Sequence, residues 1–528
     1  MRSVAALLPR LPGGLDRWGR ALRWCALPAA IAALAFVLRL HGLGAKPFWL
    51  DEITSLRRAT DSLHDLTLDA LHNRHCPSYF LLLWLVAHFG ASEWLLRLPS
   101  AIFGAIAAAL AALIGRRAAG AKSGAMAGLL MALSPFEVQF GQEARSYTLV
   151  SCLILVALSG LVRLARAPAA AALPWREGAP RGAWLAYGLG TAAALSVLNV
   201  AVAWFVAANL SACVIAWRAA AARRAFLRRW GLAQALVIAA WAPSLMIVFL
   251  VNKSGLAHGA DWAPPETLGA IWATLAPVYL MRISDFIIFS LAPAGVPGLS
   301  VAVAGLAALG VWRLRRDPAV LAVLGGAAFA APLGMLLLSP LVPVLVPRYF
   351  AWSAAPFFVL AGAGIGGFAG LRFAVLAPAL LAACFVNLVP YYRYETKPRW
   401  DLLAARIAAK AKPGDVVLVN RGYSYYVFSI FAERAGLLQR GVRLAAHLEE
   451  AERLAPGHTL WAVYGRTGQG PMQPPEDYLR SLAPLGRPLR EHAIGRYIIV
   501  WRFSEPADAE PATPAAPANG DAVEALQP

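Results

Sequence analysis

The feature that most constrains this chain is its series of long apolar runs. A helix that crosses a membrane needs about 20 mostly apolar residues, and the chain has about 11 runs of suitable length. They lie at 24–40, 95–115, 121–140, 146–165, 183–197, 199–217, 230–251, 284–312, 318–340, 350–371 and 373–391. Charged residues make up only 15% of the 528 residues, against about 25% in a soluble domain. We therefore predict a polytopic α-helical membrane protein and exclude an ordinary soluble enzyme.

The positive charge of the chain indicates how it is oriented in the membrane. The formal net charge is +19, which in a soluble chain would suggest nucleic acid as a partner. Here the basic residues form short clusters between apolar runs, a pattern typical of cytoplasmic loops. Every cluster falls on the cytoplasmic side if the short apolar segment Tyr79–Phe89 lies in the membrane plane. We therefore expect no nucleic-acid partner, a cytoplasmic N-terminus, an extracytoplasmic C-terminus and an outer loop at 43–94.

Polar and charged residues return after Tyr391. A helix is predicted at Trp400–Ala411, and short strands are predicted at Asp415–Asn420, Val442–Ala445, Thr459–Tyr464 and Arg496–Phe503. Alternating strands and helices indicate a small α/β domain. We therefore divide the chain into a transmembrane domain at 1–391, an extracytoplasmic α/β domain at 392–503 and a tail at 504–528. The tail is rich in Pro, Ala and acidic residues and is predicted to be disordered.

Two adjacent carboxylates, Asp51 and Glu52, follow the first apolar run and are flanked by aromatic and apolar residues. A carboxylate at a membrane boundary is costly unless it is paired or used in function. Partial desolvation would favour its protonated form and suit it to act as a base near neutral pH. The alternative is an ordinary solvated start of the loop, and spacing alone does not separate the two.

The same loop contains six side chains that could bind a divalent metal ion. None of them forms a tight ligand motif, and they are Asp61, His64, Asp65, Asp69, His72 and His75. The alternative is a solvated amphipathic helix over Asp61–His72 with its leucines, Leu63, Leu66, Leu68 and Leu71, directed inward. A metal therefore stays open as a cofactor.

Arg97, Arg145 and Arg348 lie at predicted outer ends of spans, where positive charge opposes the usual bias. One reason for such residues is a bound phosphate, which the planar guanidinium can grip at two oxygens. The alternatives are a snorkelling anchor at the interface or pairing with a nearby acid, Glu93 for Arg97 and Glu143 for Arg145. Lys253 and Arg282 in a second outer loop are weaker candidates.

The order of these motifs resembles a known family. The chain is similar to the GT-C glycosyltransferases that use polyprenyl-phosphate sugars, especially the protein O-mannosyltransferase and aminoarabinose transferase group. Five short motifs between about residues 24 and 390 support the resemblance, namely 49–52 (WLDE), 75–79 (HCPSY), 97–100 (RLPS), 142–147 (QEARSY) and 347–350 (PRYF). The family commonly has Pro-Pro after the position of His75, whereas this chain has Cys76 and then Pro77.

The resemblance implies an inverting transfer of a sugar from a polyprenyl-phosphate donor at the outer face of a bacterial cytoplasmic membrane. The acceptor would be a lipid, a glycan or a protein of the cell envelope, and no nucleotide would be needed. Asp51 would be the catalytic carboxylate, with Glu52 beside it. Arg97, Arg145, Arg348 and His75 would bind the donor phosphate, with support from Tyr147, Tyr349 and Lys253.

Two other functions are compatible with the sequence. A transporter or flippase for a lipid-linked sugar would use the same lipid, but transporters usually contain inverted repeats and charges near mid-membrane. In this chain the notable charges lie at outer ends of spans and no repeat is evident, which favours an enzyme. A non-catalytic membrane scaffold would not need the Asp51–Glu52 pair or the outer arginines.

Overall fold

The computed structural model describes two compact units, one formed mainly by the chain up to Arg399 and one mainly by the chain from Trp400 onwards. The described residues are 14–73, 75–173, 180–253, 267–285, 290–291, 295–341, 344–420, 422–465, 474–485 and 488–503. Within these ranges, the side chains of 14–24, 247–253, 285, 290–291 and 490 are not described. The tail predicted to be disordered, 504–528, lies outside the described residues.

The first part of the first unit is helical and includes the outer loop. Its helices are α1 (Gly14–Leu40), α2 (Leu50–Thr60), α3 (Leu63–His72), α4 (Ser78–Ala87), α5 (Glu93–Ala119), α6 (Ala121–Leu133), α7 (Pro135–Gly141), α8 (Tyr147–Arg166), α9 (Pro168–Ala171), α10 (Arg181–Val197), α11 (Val202–Arg218) and α12 (Arg223–Lys253). Short 3-10 turns at Asn199–Ala201 and Ala220–Ala222 precede α11 and α12.

The rest of the unit contains α13 (Leu268–Tyr279), α14 (Leu299–Leu314), α15 (Pro318–Gly325), α16 (Ala331–Leu338), α17 (Ala351–Gly366) and α18 (Gly370–Arg393). A π-helical segment, Gly326–Ala330, joins α15 to α16, and a 3-10 turn, Pro347–Phe350, leads into α17. Two short strands, β1 (Ser284–Asp285) and β2 (Ser290–Leu291), pair antiparallel.

Several of these helices can cross a membrane. Within the described ranges, six helical stretches are long and apolar enough, namely Glu93–Ala119, Tyr147–Arg166, Asn199–Arg218, Pro318–Leu338, Pro347–Gly366 and Gly370–Arg393. Shorter apolar helices accompany them, for example Ser78–Ala87 within the predicted in-plane segment. The prediction of a polytopic helical membrane protein is confirmed.

The prediction of a continuous span over 284–312 is wrong. The helix in this region begins only at Leu299, and β1 pairs with β2 before it. Gly298 adopts φ 77° immediately before α14, a conformation that favours glycine. Conversely, α13 lies within 252–283, which the sequence analysis treated as an outer loop.

Small residues allow the spans to pack closely. A Cβ atom at Gly310 of α14 would collide with the carbonyl oxygen of Leu360 in α17, and one at Gly364 of α17 would collide with that of Leu306 in α14. Gly124 of α6 lies in the same way against α5. Close backbone approach through small residues is typical of membrane helices, because lipid supplies no hydrophobic drive between them.

The outer loop is folded into helices α2, α3 and α4. Ser62 caps α3 by accepting a hydrogen bond from the Asp65 backbone N–H at 3.1 Å, which satisfies one of the open donors at a helix start. The predicted amphipathic helix is therefore present. Its leucines are only partly directed inward as expected, because Leu66 is buried while Leu63 and Leu68 are exposed.

The second unit is a small α/β domain, as predicted. Its strands are β3 (Val416–Val419), β4 (Arg443–Ala445), β5 (Leu460–Gly465), β6 (Arg490–Ile494) and β7 (Ile498–Phe503), and its helices are α19 (Trp400–Ala408), α20 (Tyr423–Arg434), α21 (Leu448–Leu454) and α22 (Pro475–Ser481). The five strands have the order β4-β3-β5-β7-β6, with β4 and β5 parallel to β3, and β7 antiparallel to both β5 and β6. Strand β6 was not predicted from the sequence.

Candidate active site

The acidic pair lies in the first turn of α2. Asp51 and Glu52 follow Trp49, which precedes the helix with an extended backbone. Acidic side chains are favourable here because the open N–H groups give a helix N-terminus partial positive charge. Consecutive residues of a helix point about 100° apart, so the two carboxylates contact different partners.

Asp51 faces two arginines from distant parts of the chain. Its Oδ2 lies 3.6 Å from Arg348 Nη2 and 3.8 Å from Arg145 Nε. Arg145 also donates from Nη1 to the Asp51 carbonyl oxygen at 3.3 Å. Arg145 lies between α7 and α8, and Arg348 lies in the turn Pro347–Phe350. The structure thus brings together three residues that the sequence analysis selected separately.

These three side chains are largely but not fully enclosed. The exposed fraction is 12% for the Asp51 side chain, 9% for Arg145 and 4% for Arg348. Burial opposes the charge of Arg145, but Tyr147 and Asp51 raise its pKa above its ordinary value. The pocket therefore holds strong positive charge in a poorly solvated place, where electrostatic interactions are stronger than in water.

Aromatic rings surround the guanidinium groups. Arg348 lies 5.7 Å from the ring centre of Trp49 and 5.8 Å from that of Tyr349. Arg145 lies 5.8 Å from the ring centre of Tyr147. Such rings attract a cation and limit its movement. The two tyrosines selected from the sequence therefore lie beside the arginines that they were expected to support.

Glu52 is fully buried in a network of ionic hydrogen bonds. Arg97 donates to both of its oxygens, from Nε at 2.7 Å and from Nη2 at 2.8 Å. Lys397 Nζ donates to Oε2 at 2.8 Å, and the Ala144 backbone N–H donates to Oε1 at 2.9 Å. Burial raises the pKa of Glu52, but the charges of Arg97 and Lys397 outweigh this effect and lower it to about 2. Glu52 is therefore ionised and fully occupied.

Arg97 is bonded entirely within the protein. Besides Glu52, it donates to three backbone carbonyl oxygens, those of Leu43 at 2.9 Å, Lys46 at 2.7 Å and Pro47 at 3.1 Å. A guanidinium has five N–H groups, and these five bonds use all of them. A phosphate could reach Arg97 only by breaking one of these bonds. Its partner is Glu52 rather than Glu93, the acid weighed from the sequence.

Lys397 and Lys46 belong to this network, and the sequence analysis missed both. Lys397 lies 3.5 Å from Glu143 Oε1 in addition to its bond with Glu52. Lys46 Nζ donates to the carbonyl oxygens of Tyr391 at 3.1 Å and Tyr394 at 3.2 Å. Burial, with Lys397 and Arg97 nearby, lowers the pKa of Lys46 to about 7. The two lysines connect the start of the outer loop to the end of α18 and the segment after it.

Glu143 is a buried acid whose carboxyl oxygens lack hydrogen-bond donors among the described residues. Its two oxygens accept no hydrogen bond from the described residues, although Lys397 lies nearby. Burial raises the pKa of Glu143 to about 7, and Glu52 and Asp51 act in the same direction against Lys397. The protonated form of this carboxyl is therefore favoured more than in an ordinary glutamate. Arg145 pairs with Asp51 and not with Glu143, the local alternative weighed from the sequence.

His75 is held as a neutral hydrogen-bond acceptor. Arg58 donates from Nη1 to His75 Nδ1 at 2.9 Å, and its Nε donates to Asp69 Oδ2 at 2.6 Å. Since arginine can only donate, the imidazole proton lies on Nε2. Burial, together with Arg145, Arg58 and Arg348, holds the pKa of His75 well below its usual value.

Cys76 occupies the position where the resembled family commonly has proline. Its thiol donates to Asn199 Oδ1 at 3.2 Å. Burial raises the pKa of this thiol to about 11, so it stays protonated and is a poor nucleophile at neutral pH. The contact joins the outer loop to the start of the span at 199–218.

A divalent metal does not fit the acidic pair. Glu52 has both oxygens bonded to protein donors, and Asp51 faces two guanidinium groups. Across the part of the chain that the structure describes, no three His, Cys, Asp or Glu side chains are grouped to hold a metal ion. The side chain of Lys253, a further candidate, lies outside the described residues.

Comparison with solved structures identifies the fold of the chain that carries this site. The crystal structure of ArnT from Cupriavidus metallidurans in the apo state matches with a TM-score of 0.56 and 15% sequence identity over 92% of this chain and 98% of that chain. The same protein bound to undecaprenyl phosphate matches with a TM-score of 0.54 and 15% identity over 93% and 100%. The chain has the GT-C fold.

A second type of protein has a similar structure. The apo oligosaccharyltransferase of Archaeoglobus fulgidus matches with a TM-score of 0.50 and 10% identity, over 83% of this chain and 69% of that chain. No protein-family model matches the sequence, and neither does any curated protein. The similarity therefore lies in the GT-C fold, while the chemistry has to be argued from the side chains.

Proposed function

We propose that this chain is an inverting glycosyltransferase that transfers a sugar from a polyprenyl-phosphate donor to an envelope lipid, glycan or protein. The observation that carries the proposal is the convergence of Asp51, Arg145 and Arg348 at one largely enclosed point. The carboxylate can accept the proton of the acceptor, and the two guanidinium groups can bind the leaving phosphate. The GT-C fold supports the proposal, because one structure with this fold, ArnT, binds undecaprenyl phosphate.

The reaction assigns each of the three side chains a role. Asp51 orients the acceptor hydroxyl or amine and accepts its proton as the nucleophile attacks the anomeric carbon. The bond from that carbon to the phosphate oxygen breaks, and its electron pair remains on the phosphate. The charge of the leaving group thereby grows from about −1 toward −2. Arg145 and Arg348 stabilise this growing charge more than the ground state, which is the requirement for catalysis.

Donor binding would also prepare the base. In the structure Arg145 and Arg348 lie 3.8 Å and 3.6 Å from Asp51 Oδ2, which is longer than an ionic hydrogen bond of about 2.8 Å. A phosphate placed against the guanidinium groups takes over part of their interaction with Asp51. The carboxylate is then held less strongly by the two arginines and is available to the acceptor.

Arg97 and Glu52 have a supporting role in this proposal. Both side chains are fully committed to each other, to Lys397 and to backbone groups. They fix residues 43–47 and the first turn of α2, and thereby the backbone that carries Asp51. We therefore assign donor contact to Arg145 and Arg348, and we assign the positioning of Asp51 to Arg97 and Glu52.

An apolar groove along α17, the helix that follows Arg348, suits the polyprenyl tail. The groove has a volume of about 580 Å³ and is lined by α13, α16, α17 and the π-helical segment, including Trp272, Phe329 and Phe357. Tyr279, at the end of α13, bonds to Ser353 Oγ at 2.6 Å, five residues after Arg348. We infer that the tail of a lipid whose phosphate is bound at Arg348 extends toward this groove, and π-helical segments are frequent at functional sites.

The charges at the two ends of the helices support the orientation that we propose. Arg166, Arg218 and Arg313 lie in the last turns of α8, α11 and α14, whereas the residues around Asp51 lie near the opposite end of α8. By the positive-inside rule the basic ends are cytoplasmic. We accordingly place Asp51 at the extracytoplasmic face of a cytoplasmic membrane, with the N-terminus inside and the C-terminal domain outside.

The test is donor turnover by the full-length protein in nanodiscs. A panel of polyprenyl-phosphate sugars is offered with crude envelope acceptor, and release of polyprenyl phosphate is followed by mass spectrometry. We expect one donor to be consumed and Asp51→Asn to lower the rate at least about 1,000-fold, because it keeps the shape of the side chain and removes the base. Near-normal turnover by this variant would remove Asp51 from the role of base.

Asp61→Asn is the matched control, because Asp61 follows the other end of α2 and pairs with the exposed Arg57. Its rate should equal that of the wild type. If folded wild-type protein releases no lipid phosphate from any donor with acceptor present, the transferase proposal fails. Movement of an intact lipid-linked sugar across the membrane would then support the transporter alternative.

A further inference from the structure

A basic pocket lies at the ends of the helices far from Asp51. Four arginines and one acid, Arg166, Arg218, Arg313, Arg316 and Asp317, line an open cavity of about 470 Å³. They come from the last turns of α8, α11 and α14 and from the α14–α15 connection. Residues that serve only to orient a membrane protein have no need to converge on one cavity, so this arrangement requires its own explanation.

Two of the arginines are fixed in place by the protein. Arg313 donates to the Ala363 carbonyl oxygen at 3.3 Å and also to the carbonyl of Gly364, and it lies 4.9 Å from the Phe368 ring centre. Arg166 donates to the Ala118 carbonyl and lies 3.3 Å from Asp317. Asp317 in turn caps α15 by accepting from the Val320 N–H at 3.3 Å.

The other two arginines are not used by the described part of the protein. The side chains of Arg218 and Arg316 are exposed, and neither has an ion pair or hydrogen bond within the described residues. The cavity thus has two preset cations and two available ones against a single carboxylate. Such an excess of guanidinium groups matches a phosphate group, which accepts bidentate hydrogen bonds.

The position of the pocket indicates the source of the phosphate. Tyr147, beside Arg145, begins α8, and Arg166 ends it, so the two sites are separated by about 30 Å at 1.5 Å per residue. This distance equals the thickness of the hydrocarbon core of a bilayer. The pocket therefore lies at the level of lipid head groups in the opposite leaflet, and basic pockets between spans at this level bind anionic lipids.

We propose that this pocket binds the phosphate of an anionic phospholipid head group in the leaflet opposite the candidate active site. The inference does not depend on the proposed transfer reaction, because it involves none of the same residues. Its function would be to anchor the ends of α8, α11 and α14 relative to the membrane.

The experiment measures lipid binding to the full-length protein in neutral detergent by native mass spectrometry. The probes are phosphatidylglycerol, zwitterionic phosphatidylcholine and inorganic phosphate. We expect at least roughly fivefold more bound phosphatidylglycerol than phosphatidylcholine, and loss of this preference in the double variant Arg218→Ala/Arg316→Ala. Arg224→Ala/Arg228→Ala is the matched control, since it removes the same charge from exposed positions of α12 that do not line the cavity.

Each outcome decides the proposal. Preference lost only in the pocket variant supports a head-group site. Equal lipid binding by the pocket variant, the control and the wild type overturns it. Saturable inorganic phosphate binding that the pocket variant loses, without any preference for phosphatidylglycerol, would show a site for a soluble anion and also overturn the lipid assignment. Size-exclusion profiles identify a variant that fails to fold, and the single variants Arg218→Ala and Arg316→Ala then take its place.

Discussion

Lys397 and Glu52 are 345 positions apart in the chain, yet they share a 2.8 Å hydrogen bond between two almost completely buried side chains. The bond joins the segment after the last span to the helix that begins the outer loop. Glu52 neighbours Asp51, so the bond also fixes the backbone of the candidate base. The C-terminal end of the membrane unit therefore helps to hold the candidate active site in place.

Removal of the lysine should destabilise the membrane unit. We expect Lys397→Met to lower the free energy of unfolding by about 3 kcal/mol, because loss of one partner leaves buried charge poorly compensated. Lys410→Met, at an exposed position of the second unit, is the control and should change stability little. Tryptophan fluorescence during chemical unfolding measures both variants. Equal stability of the two would mean that the bond between Lys397 and Glu52 contributes little.

Glu52→Gln should change how the free energy of unfolding depends on pH. The ordinary pKa of the carboxyl is 4.5 and its folded value is about 2, so its contribution is present above pH 4.5 and is lost as pH falls toward 2. We expect the variant to be less stable than the wild type at pH 7 by up to about 3 kcal/mol and the difference to shrink below pH 4. A difference that is constant over the whole range would show that ionisation of Glu52 is not the cause.

Glu143→Gln should change the stability of the fold in the opposite direction from Glu52→Gln. The folded pKa of Glu143 is about 7, above its ordinary 4.5. The folded state therefore holds this proton more tightly than the unfolded state, and the resulting stability, fully present below pH 4.5, is lost as pH rises through 7. Glutamine resembles the protonated form, and we expect it to stabilise the protein at pH 8 by up to about 3 kcal/mol. At pH 4 the two proteins should unfold alike. Melting curves at the two pH values decide, and destabilisation at pH 8 would show that the pairing with Lys397 dominates.

Arg97 and Arg348 should give contrasting phenotypes. Arg97→Met breaks five internal hydrogen bonds and leaves Glu52 with less compensating charge, so we expect about 4 kcal/mol of lost stability. Arg348→Ala should lose less stability than Arg97→Met, because Arg145 still pairs with Asp51, but it should lower kcat/KM for the donor about 100-fold, with the acceptor KM nearly unchanged. Arg57→Ala, whose side chain is 62% exposed, is the control. Unchanged donor kinetics in Arg348→Ala would remove this residue from the phosphate site.

Local sequence was sufficient to predict where charge gathers. Asp51, Arg145 and Arg348 were selected because charge at the end of an apolar run needs a reason, and the structure places them together. Arg97 was selected on the same ground, but it lies at the end of a span because its bonding partners are inside the protein. Its acceptors include the carbonyl oxygens of Leu43, Lys46 and Pro47, and backbone acceptors leave no mark in the residue types of a sequence.

Other features depended on contacts that no local pattern contains. Lys397 follows the point where polar residues return, so it resembled the start of a soluble domain, and its partner lies 345 positions away. The error over 284–312 has a different origin, because an apolar run does not by itself show where a helix begins. Pro297 and Gly298 just before α14 were the signal that could have located the true start of that helix.

Glycines hold the backbones of α14 and α17 in close contact. A side chain at Gly310 would collide with the Leu360 carbonyl, and one at Gly364 would collide with the Leu306 carbonyl. Arg348 lies just before one end of this helix pair and Arg313 lies near the other end. The two glycines therefore set the spacing of two helices that reach both the candidate active site and the basic pocket.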